Sequence, residues 1–199
     1  MSDEGVDESK RATLRRFAAI GAASPLARFK SEGESDAADG IAGYVTATPG
    51  AHFSKIRDDL QLGTGETQHH LRELTRQGVL ESRKDGDYSR FFPADRFSEF
   101  EQVALGYLRR ETPRGMIVTL LRDPDATASD LADRLGVSTP TISKYASELE
   151  AAGLLSRDDG YGIERPETLL LLLVRYADSF DADTAELAAE ADGLIQYDS

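Results

Sequence analysis

The 199-residue sequence predicts a mainly α protein with small β-hairpins (α+β), two consecutive copies of one unit of three helices and a hairpin, closed by C-terminal helices. Three observations carry this. The middle of the chain matches itself without gaps at an offset of 75 residues. Within each copy, apolar residues recur at helical spacing up to a glycine. After that glycine comes a pair of strand-like runs around an Asp-Gly, a hairpin signal.

In the repeat, Pro49 falls on Pro124, Ile56 on Leu131, Leu60 on Leu135, Leu62 on Val137, Leu74 on Leu149 and Gly78 on Gly153. A first helix, over 38–48 or 114–122, ends at Thr-Pro or Asp-Pro because the residue before proline disfavours helical geometry. A second helix covers 53–61 or 128–135, with Thr127 as N-cap and Asp130 completing a capping box. Gly63 and Gly136 mark a short turn. A third helix, 64–77 or 139–152, stops at Gly78 or Gly153, where a left-handed cap is needed. The strand pairs are 79–83 with 88–93 and 154–157 with 161–164. A helix over 96–111 joins the units, so the expected segments are 1–35, 36–95, 96–111, 112–165 and 166–199.

The first segment is expected to be a flexible arm holding a short basic helix, with Leu14, Phe17, Ala18 and Leu26 on one side and Arg11, Arg15, Arg16 and Arg28 around it. Arg15-Arg16-Phe17 before Ala18 to Ala23 is faintly like a twin-arginine export signal, but Arg28 and Lys30 soon follow a short apolar run. No run is long enough for a transmembrane helix, so a cytoplasmic location is expected. In the last segment, Pro166 and Glu167 open a helix reaching Ser179, and a second acidic helix covers 184–191. The run Leu169 to Val174 is apolar all round. It is the candidate homodimer interface through Leu169, Leu171 and Leu172, or else it packs between the two units.

Without cysteine there are no disulfides, thiolate metal sites or cysteine nucleophiles. The histidines are His52, His69 and His70, and the adjacent pair projects its rings about 100° apart on a helix, so no metal site is expected. No phosphate-cradling glycine loop and no nucleophile with its base appears, so we expect no catalytic residues, no cofactor and no enzyme. The net charge of −13 opposes phosphate binding, but residues 166–199 hold −7 of it and residues 36–165 only −6. Arginine outnumbers lysine by 18 to 5, and this acidic balance resembles proteins of salt-accumulating halophiles, of archaeal type.

Three helices and a hairpin is the winged helix-turn-helix order. GTGETQHHLRELTRQGVL followed by SRKDGDYSRFF resembles the recognition helix and wing of the ArsR and MarR families of winged-helix regulators, and STPTISKYASELEAAGLL resembles the same helix. The likeness covers about residues 36–165. It implies two tandem winged helix-turn-helix domains in a sequence-specific transcriptional regulator, with double-stranded DNA in the major groove as partner.

The third helix must keep one apolar stripe and offer its other side to the groove. Thr67, His70 or Leu71, and Leu74 are expected inward, as are Ile142, Tyr145 or Ala146, and Leu149. That leaves Thr64, Gly65, Gln68, His69 and Arg72 outward in the first unit, and Thr139, Pro140, Ser143, Lys144 and Ser147 in the second. Gln pairs bidentately with adenine, and Arg with guanine or a phosphate. Wing one offers Arg83, Lys84 and Arg90 with Tyr88, whereas wing two sets Arg157 beside Asp158 and Asp159 and departs from the pattern. That departure and the overall acidity favour the rival reading, a tandem winged-helix scaffold binding protein in a chromosome or transcription complex.

Overall fold

The computed structural model describes Lys10, residues 12–19 and residues 36–194, with side chains through Glu190. The chain divides into two compact units, Met1–Ser98 and Glu99–Ser199.

In the first unit a helix over residues 12–19 (α1) precedes α2 (Asp36–Ala47), β1 (Ala51–His52), α3 (Phe53–Asp59), α4 (Thr64–Arg76), β2 (Leu80–Asp85) and β3 (Tyr88–Pro93). Its core joins Ile41, Tyr44 and Val45 of α2 to Ile56, Leu60, Leu71, Leu74 and Leu80. Leu14 of α1 is 6% exposed and belongs to that core, while Phe17 sets its ring edge-on to Tyr44 at 5.1 Å. Part of the expected arm is therefore docked; Arg11, Leu26 and Arg28 lie outside the described residues. The antiparallel sheet has order β1-β3-β2, so β1 adds a third strand to the expected hairpin, pairing Ala51 with Phe91 and His52 with Arg90. Strand β2 runs two residues further than expected, leaving a two-residue loop of Gly86 and Asp87; Gly86 has φ 58, the first-position requirement of a II′ turn.

The turns expected at Gly63 and Gly136 are both present but are built differently. Gly63 is not left-handed (φ −69); it is the N-cap of α4, and its N–H donates to the Glu66 carboxylate at 3.3 Å. Gln61 takes the left-handed conformation, with φ 54. In the repeat register Gln61, not Gly63, stands on Gly136 (φ 63), and Gly63 stands on the N-cap Ser138.

The second unit contains α5 (Glu99–Leu108), α6 (Glu111–Arg122), α7 (Ala128–Leu135), α8 (Thr139–Ala151), β4 (Leu155–Ser156), β5 (Gly162–Ile163), α9 (Pro166–Arg175) and α10 (Ala182–Leu194). The single helix expected over 96–111 starts at Glu99 and stops at Leu108. Pro113 explains the stop: carried on as one helix, its ring would meet the Arg109 carbonyl one turn back. Thr127 caps α7 as expected, accepting from the Asp130 N–H at 3.3 Å while Asp130 accepts from the Thr127 N–H at 2.9 Å. The C-terminal helix ends at Arg175, short of Ser179, and passes into a 3-10 turn over Ala177–Ser179. Leu105, Leu108, Met116, Ile117, Leu131, Ile142, Leu149, Leu169, Leu173 and Leu187 are all sealed from solvent. Between α6 and α10, Arg122 faces Asp183 at 2.7 Å, Glu190 at 3.1 Å and Glu186 at 3.8 Å. Nearby, burial raises the Asp181 pKa, but hydrogen bonds from Arg114 and Thr184 outweigh it and hold the carboxyl at about 2.

Candidate nucleic-acid interface

Helix α4 forms because its apolar stripe and its caps agree. Thr67, Leu71 and Leu74 are its buried residues, one to a turn. The Thr67 hydroxyl donates to the Gly63 carbonyl at 2.9 Å, which lets a polar residue sit fully buried. At the far end Gly78 turns left-handed (φ 72). His70 is half-buried, between the inward and outward sets.

This stripe leaves Thr64, Gly65, Gln68, His69 and Arg72 exposed on the opposite side, as expected. None of Gln68, His69 and Arg72 spends its polar atoms on a hydrogen bond or ion pair among the described residues; His69 touches only the His70 ring, at 5.2 Å. Arg76, by contrast, is held by Glu73, with Nε 3.0 Å from Oε2.

Between α4 and the sheet runs an open groove of about 810 Å³. Gln68 and Arg72 line one wall, and Tyr88 of the wing with His52 of β1 line the other. Tyr88 is 54% exposed and rests on the His52 ring at 5.1 Å. Helix, wing and first strand thus enclose one concave surface. His52, Phe53 and Ser54 belong to it and were not singled out from the sequence. His52 also caps α3, its Nδ1 accepting from the Lys55 N–H at 3.3 Å. Burial pushes its imidazole below the ordinary 6.5, and the Arg90 and Lys55 cations push it further down.

Among the wing residues, Lys84 is exposed and Arg83 half-buried. Arg90 corrects the expectation of a phosphate contact. Its side chain is 5% exposed, its Nε donates to the Asp85 carboxylate, and its Nη1 donates to the Gly50 carbonyl at 2.9 Å. It braces the hairpin against the turn before β1 from inside the unit, and does not point toward a ligand.

In the second unit Ile142, Ala146 and Leu149 form the buried stripe of α8, and Thr139, Pro140, Ser143, Lys144 and Ser147 are exposed. The cations here are already engaged. Lys144 Nζ is 3.8 Å from Glu148 and lies over the Tyr145 ring at 5.3 Å, and Arg157 is paired with Glu150 at 2.8 Å. The short hairpin beyond them carries Asp158 and Asp159, both exposed.

Two family models match the chain, one over the first unit and on into α5, the other within the second unit. One, described as an N-terminal HTH domain, matches residues 35–105, and the other, winged helix-turn-helix DNA-binding, matches residues 109–156. The chain carries two helix-turn-helix domains in tandem. Among curated proteins, this tandem winged-helix protein is 27% identical over 121 residues to an uncharacterized HTH-type transcriptional regulator of Methanocaldococcus jannaschii, a match covering 60% of this chain. It spans only 30% of that relative's length. No solved structure matches the tandem winged-helix protein significantly. The comparisons thus find helix-turn-helix models over two stretches of the chain and a likeness to one HTH-type transcriptional regulator; nothing in them singles out ArsR or MarR. No helix among the described residues is long and apolar enough to cross a membrane, and no group of three metal-ligating side chains appears among them.

Proposed function

We propose that the chain is a cytoplasmic, sequence-specific transcriptional regulator whose first unit reads double-stranded DNA. The observation that carries this is the groove shared by α4 and the wing, where Gln68 and Arg72 stand opposite Tyr88 with no partner among the described residues competing for the two α4 side chains. Helix α4 enters the major groove by its leading half, with Thr64 and Gly65 small enough for close approach. Gln68 and His69 read base edges there, and Arg72 reads a base or holds a phosphate. The sugar-phosphate strand beside the major groove passes between helix and wing, against Tyr88 and Lys84.

The second unit supports a different reading of its own surface. With Lys144 and Arg157 spent on Glu148 and Glu150, and Asp158 and Asp159 at the hairpin tip, it offers phosphate little and suits a protein partner. We therefore assign Thr139, Pro140, Ser143 and Lys144 to a secondary surface. The chain acts as a homodimer, so that two copies of α4 meet successive major grooves.

Enrichment from a random duplex pool, in low and in multimolar potassium chloride, tests the reading. The full chain enriches a palindromic motif and Gln68→Ala/His69→Ala does not, while Lys84→Ala lowers the slope of log affinity against log salt by about one with the motif unchanged. No enrichment at either salt would assign the whole chain to protein scaffolding.

A further inference from the structure

Helix α9 hides most of its leucines. Leu169 and Leu173 are fully buried, and Leu170 and Leu172 nearly so. Of the three residues expected to join two copies, Leu169 and Leu172 are therefore spent on the core of their own unit. Leu171 is 61% exposed and Val174 37% exposed, two of the three large apolar residues that stand out among those described.

What surrounds Leu171 identifies the partner. Four residues before it is Glu167 and four residues after it is Arg175, both exposed and neither in an ion pair among the described residues; Arg175 touches only the Tyr176 ring, at 5.6 Å. A spacing of four is about 6 Å along a helix, so the acid and the base lie at equal heights on either side of the leucine. A surface ordered acid, leucine, base is its own complement when a second copy is laid against it head to tail.

We propose that two chains join through α9, antiparallel, with Leu171 on the two-fold axis, Val174 flanking it, and Glu167 of each copy facing Arg175 of the other. This deepens the dimer reading above and rests on it. A parallel arrangement sets Glu167 against Glu167 and Arg175 against Arg175, which like-charge repulsion disfavours. A ten-residue helix offers far less than the roughly 800 Å² per partner of a standard interface, so the joint is weak alone and strengthened when both copies sit on one duplex.

Sedimentation equilibrium of the full chain without DNA tests this. E167R or R175E alone should weaken dimerisation about ten-fold, since each change affects both symmetry-related pairs, and the double swap should restore it. Because the chain has no cysteine, Leu171→Cys should form a covalent dimer under mild oxidation; its circular dichroism spectrum under reducing conditions, matching the parent because Leu171 is exposed within its own unit, checks folding. Dimers that form but ignore the charge swap overturn this joint and leave the dimer standing. A chain monomeric at every concentration overturns both.

Discussion

Replacing Arg90 by Met separates the two roles a wing arginine can have. The guanidinium bridges Asp85 and the Gly50 carbonyl at 5% side-chain exposure, so its loss takes a charged donor away from both. Breaking a fully buried pair costs about 3–5 kcal/mol. Asp85 retains 20% exposure and can draw on water, so the loss here is smaller, about 2–4 kcal/mol. For a unit of this size that lowers the melting point by roughly 10–20 °C. Urea titration followed by circular dichroism reads the first unit's transition. DNA affinity against salt is then measured well below the variant's melting point, where the slope should equal that of the unsubstituted chain. A variant within about 0.5 kcal/mol of the parent, with the slope reduced by one, would refute the bracing role and return Arg90 to the phosphate backbone.

Two further tests concern backbone and pH. Gln61→Gly removes a left-handed non-glycine residue and should raise stability by roughly 0.5–1 kcal/mol, whereas Gly136→Ala, at the matching position and with open space around a new Cβ, should lower it by about 1 kcal/mol from strain alone; chemical denaturation of each measures both. His52 is held below its ordinary 6.5 in the fold, so protonation is easier in the unfolded chain. Its contribution is complete above about 6.5 and lost as pH falls from there toward the folded value. His52→Asn, which can still cap α3, should lose less stability than the parent between pH 8 and 5 in denaturation series; parallel pH profiles would show that His52 does not titrate on unfolding.

Local chemistry was the most legible part of the sequence. Gly78 and Gly153 end their helices because only a left-handed residue fits there, and the Thr127–Asp130 box is settled within four residues. The face of α4 was equally plain, since one buried residue per turn fixes which side remains for a ligand. The turn before α4 was legible from Gly63, but not which residue in it turns left-handed, because register pairs Gly136 with Gln61, a residue whose identity does not announce φ > 0. Strand β1 has two residues, too few for alternation to show, and exists because β3 offers it an edge. Arg90 was expected at a phosphate although a contrary signal was present: it shares a strand face with Phe92, which is completely buried, so its charge had to be answered internally. Pro113 likewise carried the helix break after Leu108 in plain view. The leucines of α9 were ambiguous because a fully apolar run does not reveal which residue is left outside; only the packing of the unit singles out Leu171.

The seam where Arg122 meets three carboxylates is two negative charges in excess. Around it, mobile cations accumulate to restore neutrality, and folding draws them from the bath because the extended chain spreads the same charges apart. Dissolved salt therefore acts on this seam in two opposed ways, easing the repulsion among the three carboxylates and weakening their attraction to Arg122.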